Sequence, residues 1–299
     1  MIGELAAIAG AFCFAIAAII YRGPLRSTSA ASASVVRFVG TGLILTAVTV
    51  LVVGIDHLLA LPMQALLLAA TSGIVGLTFG DVLYMSSFKT AGIARTVSVV
   101  ATYPMFSLLI EYIIGRGAPP LFAALGAVLI FVGVWLLTRS ADQNDETFSA
   151  EGIKRGIAAA LGTAFLYSIS MLFFDASLDT LPVGDMGGAF AVNSLRTASG
   201  GGFLLLCVPL IDRQLGFLRM QKRNIALLLV GSIVAYGIGW YLLTLAFILA
   251  PTAFVVPLSS ITPLFATFFA VLLLREPLPK KGILGVLLTV AGALVIVIG

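Results

Sequence analysis

Two arginines lie inside stretches that are otherwise apolar enough to cross a membrane. Arg37 is in ASVVRFVGTGLILTAVTVLVVG, residues 33–54, and Arg196 is in AVNSLRTASGGGFLLL. A charge at the centre of a hydrocarbon layer costs roughly 3 kcal/mol or more, so such a residue usually faces a protein interior or a water-filled path. Each guanidinium could bind an anionic group such as a carboxylate, or pair with an acidic side chain that closes a gate. The alternative for each is that the side chain extends to the membrane interface, which is easier for Arg37 because it is nearer the end of its segment.

Asp81 is the acidic residue that lies deepest in the apolar segments. Tyr84 and Phe88 follow it at spacings of three and seven residues, which puts all three on one face of a helix. A carboxylate at this depth could take up a proton or bind a cation. The alternative is a structural ion pair with Arg95, across the tight turn that follows.

Further polar and aromatic side chains occur at similar depths, and we predict that they line a ligand-binding pocket together with Arg37, Asp81, Tyr84 and Arg196. For the aromatic members the alternative is ordinary helix packing. These further residues are Tyr103, Asn193, Trp240, Tyr241, Ser259 and Thr262.

Three prolines are predicted to interrupt helices within the apolar segments: Pro104, Pro257 and Pro263. A proline inside a helix removes a backbone hydrogen bond and kinks the helix. The freed carbonyl needs a partner in a membrane, so such breaks occur where protein or a cavity supplies one. We therefore predict a hinge or gating role for these prolines, with Ser259 and Thr262 able to satisfy freed backbone groups.

Membrane-spanning helices must position these side chains, because the composition excludes an ordinary soluble domain. The 299 residues are 60% hydrophobic and 10% charged, whereas soluble domains carry about 25% charged residues. The net charge of +4 comes from basic residues in short loops, which does not indicate a nucleic-acid partner. Cys13 and Cys207 lie in apolar runs and form neither a disulfide framework nor a metal-binding spacing. We expect no metal and no cofactor.

Ten segments are long and apolar enough to span a bilayer, which needs about 20 residues each. They are residues 2–21, 33–54, 63–87, 92–114, 119–138, 153–174, 187–211, 224–248, 252–274 and 281–299. Nearly all loop arginines and lysines lie on one side of the membrane, and Arg116 lies on the other. Because basic loops stay in the cytoplasm, we predict a cell-membrane protein whose two termini are both extracytoplasmic.

The two halves of the chain repeat each other at an offset of 159 residues. Residues 80–120 align without a gap with residues 239–279, and the same offset places Arg37 on Arg196 and Asp81 on Trp240. Each half has five spans, so the second half must cross the membrane in the opposite sense. The predicted fold is therefore all-α, with a first repeat at 1–139, a polar linker at 140–152 and a second, inverted repeat at 153–299.

The paired mid-span prolines and the ending REPLPKKGILGVLLTVAGALVIV resemble the EamA type of the drug/metabolite transporter superfamily. The resemblance covers nearly the whole chain. The first half departs from the pattern, because Gly117 stands where the second half has Glu276. The resemblance implies a carrier of small metabolites with spans 1–4 and 6–9 around a central cavity and spans 5 and 10 at the periphery.

From the repeat and the resemblance we predict a secondary-active exporter of small organic metabolites such as amino acids, working by alternating access. One alternative is export of hydrophobic amines coupled to protons through Asp81, and another is a channel-like permease. The expected partners are the substrate, the lipid bilayer and either a coupling proton or no ion. The protein is expected to be a monomer or a weak dimer. It is not expected to be an enzyme, since Thr78 replaces the first glycine of GxGD and neither HExxH nor a P-loop motif occurs.

Overall fold

The computed structural model describes residues 2–114, 121–139, 148–182, 184–250, 255, 258–259, 261–276 and 278–298. These residues form helices and connecting loops, and no strand occurs among them. The helices are α1 (Ile2–Leu25), α2 (Ala30–Leu59), α3 (Met63–Ala91), α4 (Ile93–Val100), α5 (Tyr103–Ile113), α6 (Leu121–Arg139), α7 (Ala150–Leu178), α8 (Met186–Ile211), α9 (residues 222–249), α10 (Thr262–Leu274) and α11 (Lys280–Ile298).

Six of these helices, α1, α2, α3, α7, α8 and α9, are long and apolar enough to cross a bilayer. They contain between 24 and 30 residues in the parts that meet this criterion, and about 20 residues suffice at a rise of ~1.5 Å per residue. Shorter apolar helices occur at Leu125–Leu137, within α6, and at Thr262–Leu274, which is α10. The described chain is thus a multi-pass, all-helical membrane protein.

The structure corrects the predicted position of two prolines. The fourth predicted span is divided at Ala101 and Thr102 into α4 and α5, and Pro104 lies in the first turn of α5. Pro263 lies likewise in the first turn of α10 rather than mid-helix. A proline is favourable there, because the first-turn N–H groups have no acceptor within the helix. Pro257 is outside the described residues.

Three helices contain π-helical turns that the sequence reading did not anticipate. These turns span Thr49–Gly54 in α2, Gly73–Gly80 in α3 and Ile233–Gly239 in α9. The last two end at glycines that the 159-residue offset relates, immediately before Asp81 and Trp240. A π-helical turn inserts extra chain and so changes which face of the helix the following residues occupy.

Helices α2 and α8 cross closely near the middle of the bundle, and glycines permit the approach. A Cβ on Gly42 would lie 2.8 Å from Ala198 Cα, and one on Gly201 would lie 2.5 Å from the backbone carbon of Phe38. Gly42 and Gly201 are themselves 159 positions apart. Each half therefore supplies a glycine, at repeat-related positions, that lies against the backbone of the other half.

The remaining helix contacts are also related by the 159-residue repeat. Helix α1 contacts α9 and α10, whereas α7 contacts α3 and α4. Helices α6 and α11 pack on each other through glycines: a Cβ on Gly133 would lie 2.8 Å from the Gly285 oxygen, and one on Gly292 would lie 2.6 Å from the Gly126 oxygen. The offset relates Gly126 to Gly285 and Gly133 to Gly292.

Candidate functional site

A cavity of about 230 Å³ lies between the two halves of the bundle. It brings together Arg37, Tyr84, Tyr103, Arg196, Trp240, Ser259, Thr262 and Pro263 from the predicted set. Its other lining residues are Phe14, Ala17, Tyr21, Leu77, Val97, Val100, Ala101, Tyr167, Met171, Ala235, Tyr236 and Leu243.

Many lining positions occur in pairs that the repeat relates. The pairs at the 159-residue offset are Arg37 with Arg196, Leu77 with Tyr236, Tyr84 with Leu243, Val100 with Ser259, and Tyr103 with Thr262. Tyr236, Tyr21 and Tyr167 were missed by sequence reasoning. The repeat gives no signal for these tyrosines, since the repeat mate of Tyr236 is Leu77, which is not a candidate site residue.

Arg37 and Asp81 form a buried ion pair at one wall of the cavity. Arg37 Nη1 donates to both carboxylate oxygens of Asp81 at 2.8 Å. Ser34 Oγ donates to the same carboxylate at 2.5 Å, and Tyr167 OH does so at 3.5 Å. The alternative of a pair between Asp81 and Arg95 is wrong, because the partner of Asp81 comes from α2.

The ion pair leaves little of either group exposed. Arg37 is 1% exposed and Asp81 0%, and Asp81 is not among the lining residues. The Arg37 guanidinium also stacks 4.0 Å from the Tyr21 ring centroid, and its Nε donates to Ser232 Oγ at 3.2 Å. Extension of Arg37 to the membrane interface is thereby excluded in this structure.

Arg196 is equally buried but has different partners. Its Nε donates to Ser72 Oγ at 2.9 Å and its Nη2 to Ser170 Oγ at 3.2 Å. The guanidinium carbon lies 4.7 Å from the Phe174 ring centroid and 5.3 Å from that of Trp240. Its Nη1 is buried and has no hydrogen-bond partner among the described residues.

The two arginine environments correspond in one respect and differ in another. Ser232 and Ser72, which accept from the two Nε atoms, each precede a π-helical turn. In contrast, Arg37 faces the carboxylate of Asp81, whereas Arg196 faces Trp240, which occupies the repeat-related position. Within the described part of the chain no carboxylate pairs with Arg196, so the site carries one uncompensated positive charge.

Asn193 and Tyr241 lie outside the main cavity. They line a second cavity of about 20 Å³, and Trp240 lines both. Asn193 Nδ2 donates to the Tyr236 carbonyl at 3.0 Å, while its Oδ1 is buried without a partner in the described structure. Pro104 is not among the residues that line either cavity.

A polar network joins helix ends on the side with the basic loops. The Glu276 carboxylate, just after α10, accepts hydrogen bonds from the Ile93 N–H at 2.8 Å and the Ala94 N–H at 3.2 Å, at the start of α4. Arg22 Nε lies 3.9 Å from the same carboxylate, and Arg22 Nη1 donates to the Phe88 carbonyl at 3.2 Å. These contacts link α1, α3, α4 and α10.

Comparison with known proteins gives consistent similarities over the whole length. The family model described as the EamA-like transporter family matches residues 1–139 and 154–298. An uncharacterized transporter of Archaeoglobus fulgidus is 24% identical over 306 residues, a match that covers 100% of this chain and 99% of the relative. A solved crystal structure that is 16% identical superposes with a TM-score of 0.59, covering 98% of this chain and 95% of the other, so the two share a fold.

Proposed function

Because the chain belongs to the EamA-like transporter family, we propose that it is a secondary-active transporter that moves small organic metabolites through the central cavity by alternating access. Family membership makes it a drug/metabolite transporter and a multi-pass protein of the lipid bilayer. The cavity is the observation that carries the proposal: a buried, uncompensated arginine faces a space that the two halves line at paired positions. A midplane site between related halves is the arrangement expected of such transporters.

The proposed architecture has ten membrane crossings in two inverted five-helix repeats, at 1–139 and 153–299. In it, α4 and α5 together form the fourth crossing, and α10 belongs to the ninth. The reciprocal glycine contacts, the repeat-related π-helical turns and the paired lining residues support this arrangement. The two-part family match supports it as well.

The proposed direction is export, with amino acids among the candidate substrates, as the family resemblance implies. Coupling of amine export to protons through Asp81 has weaker support, because that carboxylate is buried and already held by Arg37, Ser34 and Tyr167. We propose further that both termini are extracytoplasmic, since the basic loops lie on the opposite side. Reporter proteins fused to the C-terminus test this orientation: a periplasmic phosphatase is expected to be active there, and cytoplasmic fluorescence of a fused reporter contradicts it.

Counterflow in liposomes tests the transport function. Vesicles with purified protein are preloaded with unlabelled organic acids, amino acids, amines or sugars, and uptake of the labelled compound is measured with and without ion gradients. A carrier gives saturable uptake that the preloaded compound accelerates, whereas a channel shows no such acceleration. Failure to move any compound of the panel under every gradient contradicts the proposal.

Arg196→Gln is expected to reduce the rate by about tenfold or more, and Gly202→Ala, whose Cβ would meet nothing within 4 Å, is the control.

A further inference from the structure

The charge of the cavity restricts the substrates that it can hold. Among the described residues that line it, the charged ones are Arg37 and Arg196. Arg37 is neutralised by Asp81 through two 2.8 Å contacts. Arg196 is held by two neutral serine hydroxyls and two aromatic faces, and these leave its charge uncompensated.

The position of Arg196 favours an anion over a neutral hydrogen-bond acceptor. The side chain is 3% exposed, so bulk water screens its charge weakly, and a buried charge is costly unless it is paired. The buried Nη1 has no hydrogen-bond partner among the described residues, so a charge-assisted donor remains to be satisfied there. A carboxylate satisfies both needs, because it accepts from the guanidinium and cancels its charge.

Resting on the function proposed above, we propose that the substrate is an organic monoanion, with one carboxylate bound by Arg196 and an apolar or aromatic body, rather than a zwitterion or an amine. The remaining wall of the cavity supports the apolar body. Five aromatic residues are among those that line it: Tyr84, Tyr103, Tyr167, Tyr236 and Trp240. The volume of about 230 Å³ leaves room for the body of a small organic ligand.

An α-amino acid fits this cavity less well than the matching carboxylic acid. Its ammonium group needs an anionic partner, but the described lining residues include no acid, and the Asp81 carboxylate is buried and already engaged by Arg37 and Ser34. Asn193 Oδ1 is an unpaired acceptor, but it carries no charge and belongs to the neighbouring small cavity. A zwitterion would therefore leave the total charge of the site at its original value.

The test compares four ligands of nearly the same shape: 3-phenylpropionate, phenylalanine, 2-phenylethylamine and 3-phenylpropionamide. The chain contains two tryptophans, Trp240 in the cavity wall and Trp135 in α6. A Trp135→Phe protein thus reports binding through the fluorescence of Trp240, in detergent and without any transport step. The expected order of affinity is 3-phenylpropionate first, by about tenfold or more over the amide and over phenylalanine, with 2-phenylethylamine weakest.

Two substitutions assign the preference to Arg196. Arg196→Gln is expected to abolish the advantage of the carboxylate over the amide, and Arg196→Lys, which keeps the charge, is expected to retain part of it. Should Arg196→Gln not fold, the ligand series on the parent protein still decides the matter. Equal or tighter binding of phenylalanine or 2-phenylethylamine overturns the inference, as does the absence of binding by all four ligands. None of these results bears on the counterflow test, so the inference can fail while transport stands.

Discussion

Arg37 and Arg196 occupy repeat-related positions but have opposite electrostatic surroundings. Arg37 is half of a neutral ion pair, and Arg196 is a buried cation between aromatic rings. Removing one partner of a buried pair leaves the other charge uncompensated, which costs far more than removing both. The same substitution should therefore have different consequences at the two positions.

We predict that Arg37→Gln lowers the free energy of unfolding by about 3–5 kcal/mol, because the Asp81 carboxylate stays buried without its cation. The double variant Arg37→Gln/Asp81→Asn is expected to recover much of this loss. Thermal unfolding of the purified proteins in detergent measures both. A single variant as stable as wild type would contradict the assignment of Asp81 to Arg37.

At the scale of helices, close approach of α2 and α8 is what places both arginines beside one cavity. We predict that Gly201→Ala destabilises the protein by about 1–3 kcal/mol, because the new Cβ would meet the backbone of Phe38 at 2.5 Å. Gly202→Ala is the matched control: nothing lies within 4 Å of its Cβ, and alanine is the better helix former. Equal thermal midpoints for the two variants would show that the crossing can widen without cost.

The start of α2 is joined to the end of α8 by Asp212. Its carboxylate accepts hydrogen bonds from Ser29 and from Ser32, the latter at 2.6 Å, and these bonds lower the pKa of Asp212 below its ordinary value of 3.8. A lowered pKa means that the stabilisation is complete above the ordinary pKa and is lost as pH falls through the pKa of the folded protein.

We accordingly predict that wild type is more stable than Asp212→Asn at neutral pH, and that the difference in thermal midpoint shrinks once the pH falls below about 3.8. Asp56→Asn, which removes an exposed acid, serves as the control for general charge effects. A difference that is independent of pH would assign the effect to packing rather than to the carboxylate.

For the whole molecule, the Glu276 network is one contact that the proposed alternating access would break if the basic end opens. It joins α10 to the start of α4, where Gly92 has φ +82° and a Cβ there would meet Glu276 Oε2 at 2.9 Å. The same carboxylate faces Arg22 of α1. Loss of this network should favour the conformation that is open at that end.

We predict that Glu276→Ala increases the rate at which a thiol reagent modifies Ala17→Cys in the cavity wall, measured in a Cys13→Ser/Cys207→Ser background. The physical reason is that, with the end closed, the Ile93 and Ala94 N–H groups lose their acceptor and Arg22 loses its counter-charge, whereas each of these groups can reach water when the end is open. Glu151→Ala, which removes an exposed ion pair with Arg155, is the control. Unchanged modification rates in a folded Glu276→Ala protein would exclude this contact as a gate.

Several features could be predicted from the sequence because they depend on local composition or on comparison of the two halves. The apolar segments identified a multi-pass helical protein, the 159-residue offset paired Arg37 with Arg196, and most of the predicted pocket residues line one cavity. The prolines were detected but misplaced, because the missing N–H is equally compatible with a mid-helix kink and a helix start. The π-helical turns left no periodic signal in segments that are apolar on all sides.

What only the tertiary structure decided is which charges meet. A position along the chain defines the depth of a side chain in the membrane, but the partner of a buried charge is set by the rotation of one helix against another and by the turns that precede it. Asp81 therefore faces Arg37 of α2 rather than Arg95 beyond the adjacent turn, and its repeat mate at the second arginine is an indole. The repeat in the sequence pairs the two arginines, and the packing of α2, α3, α8 and α9 sets Arg37 in an ion pair and leaves Arg196 without a counter-ion among the described residues.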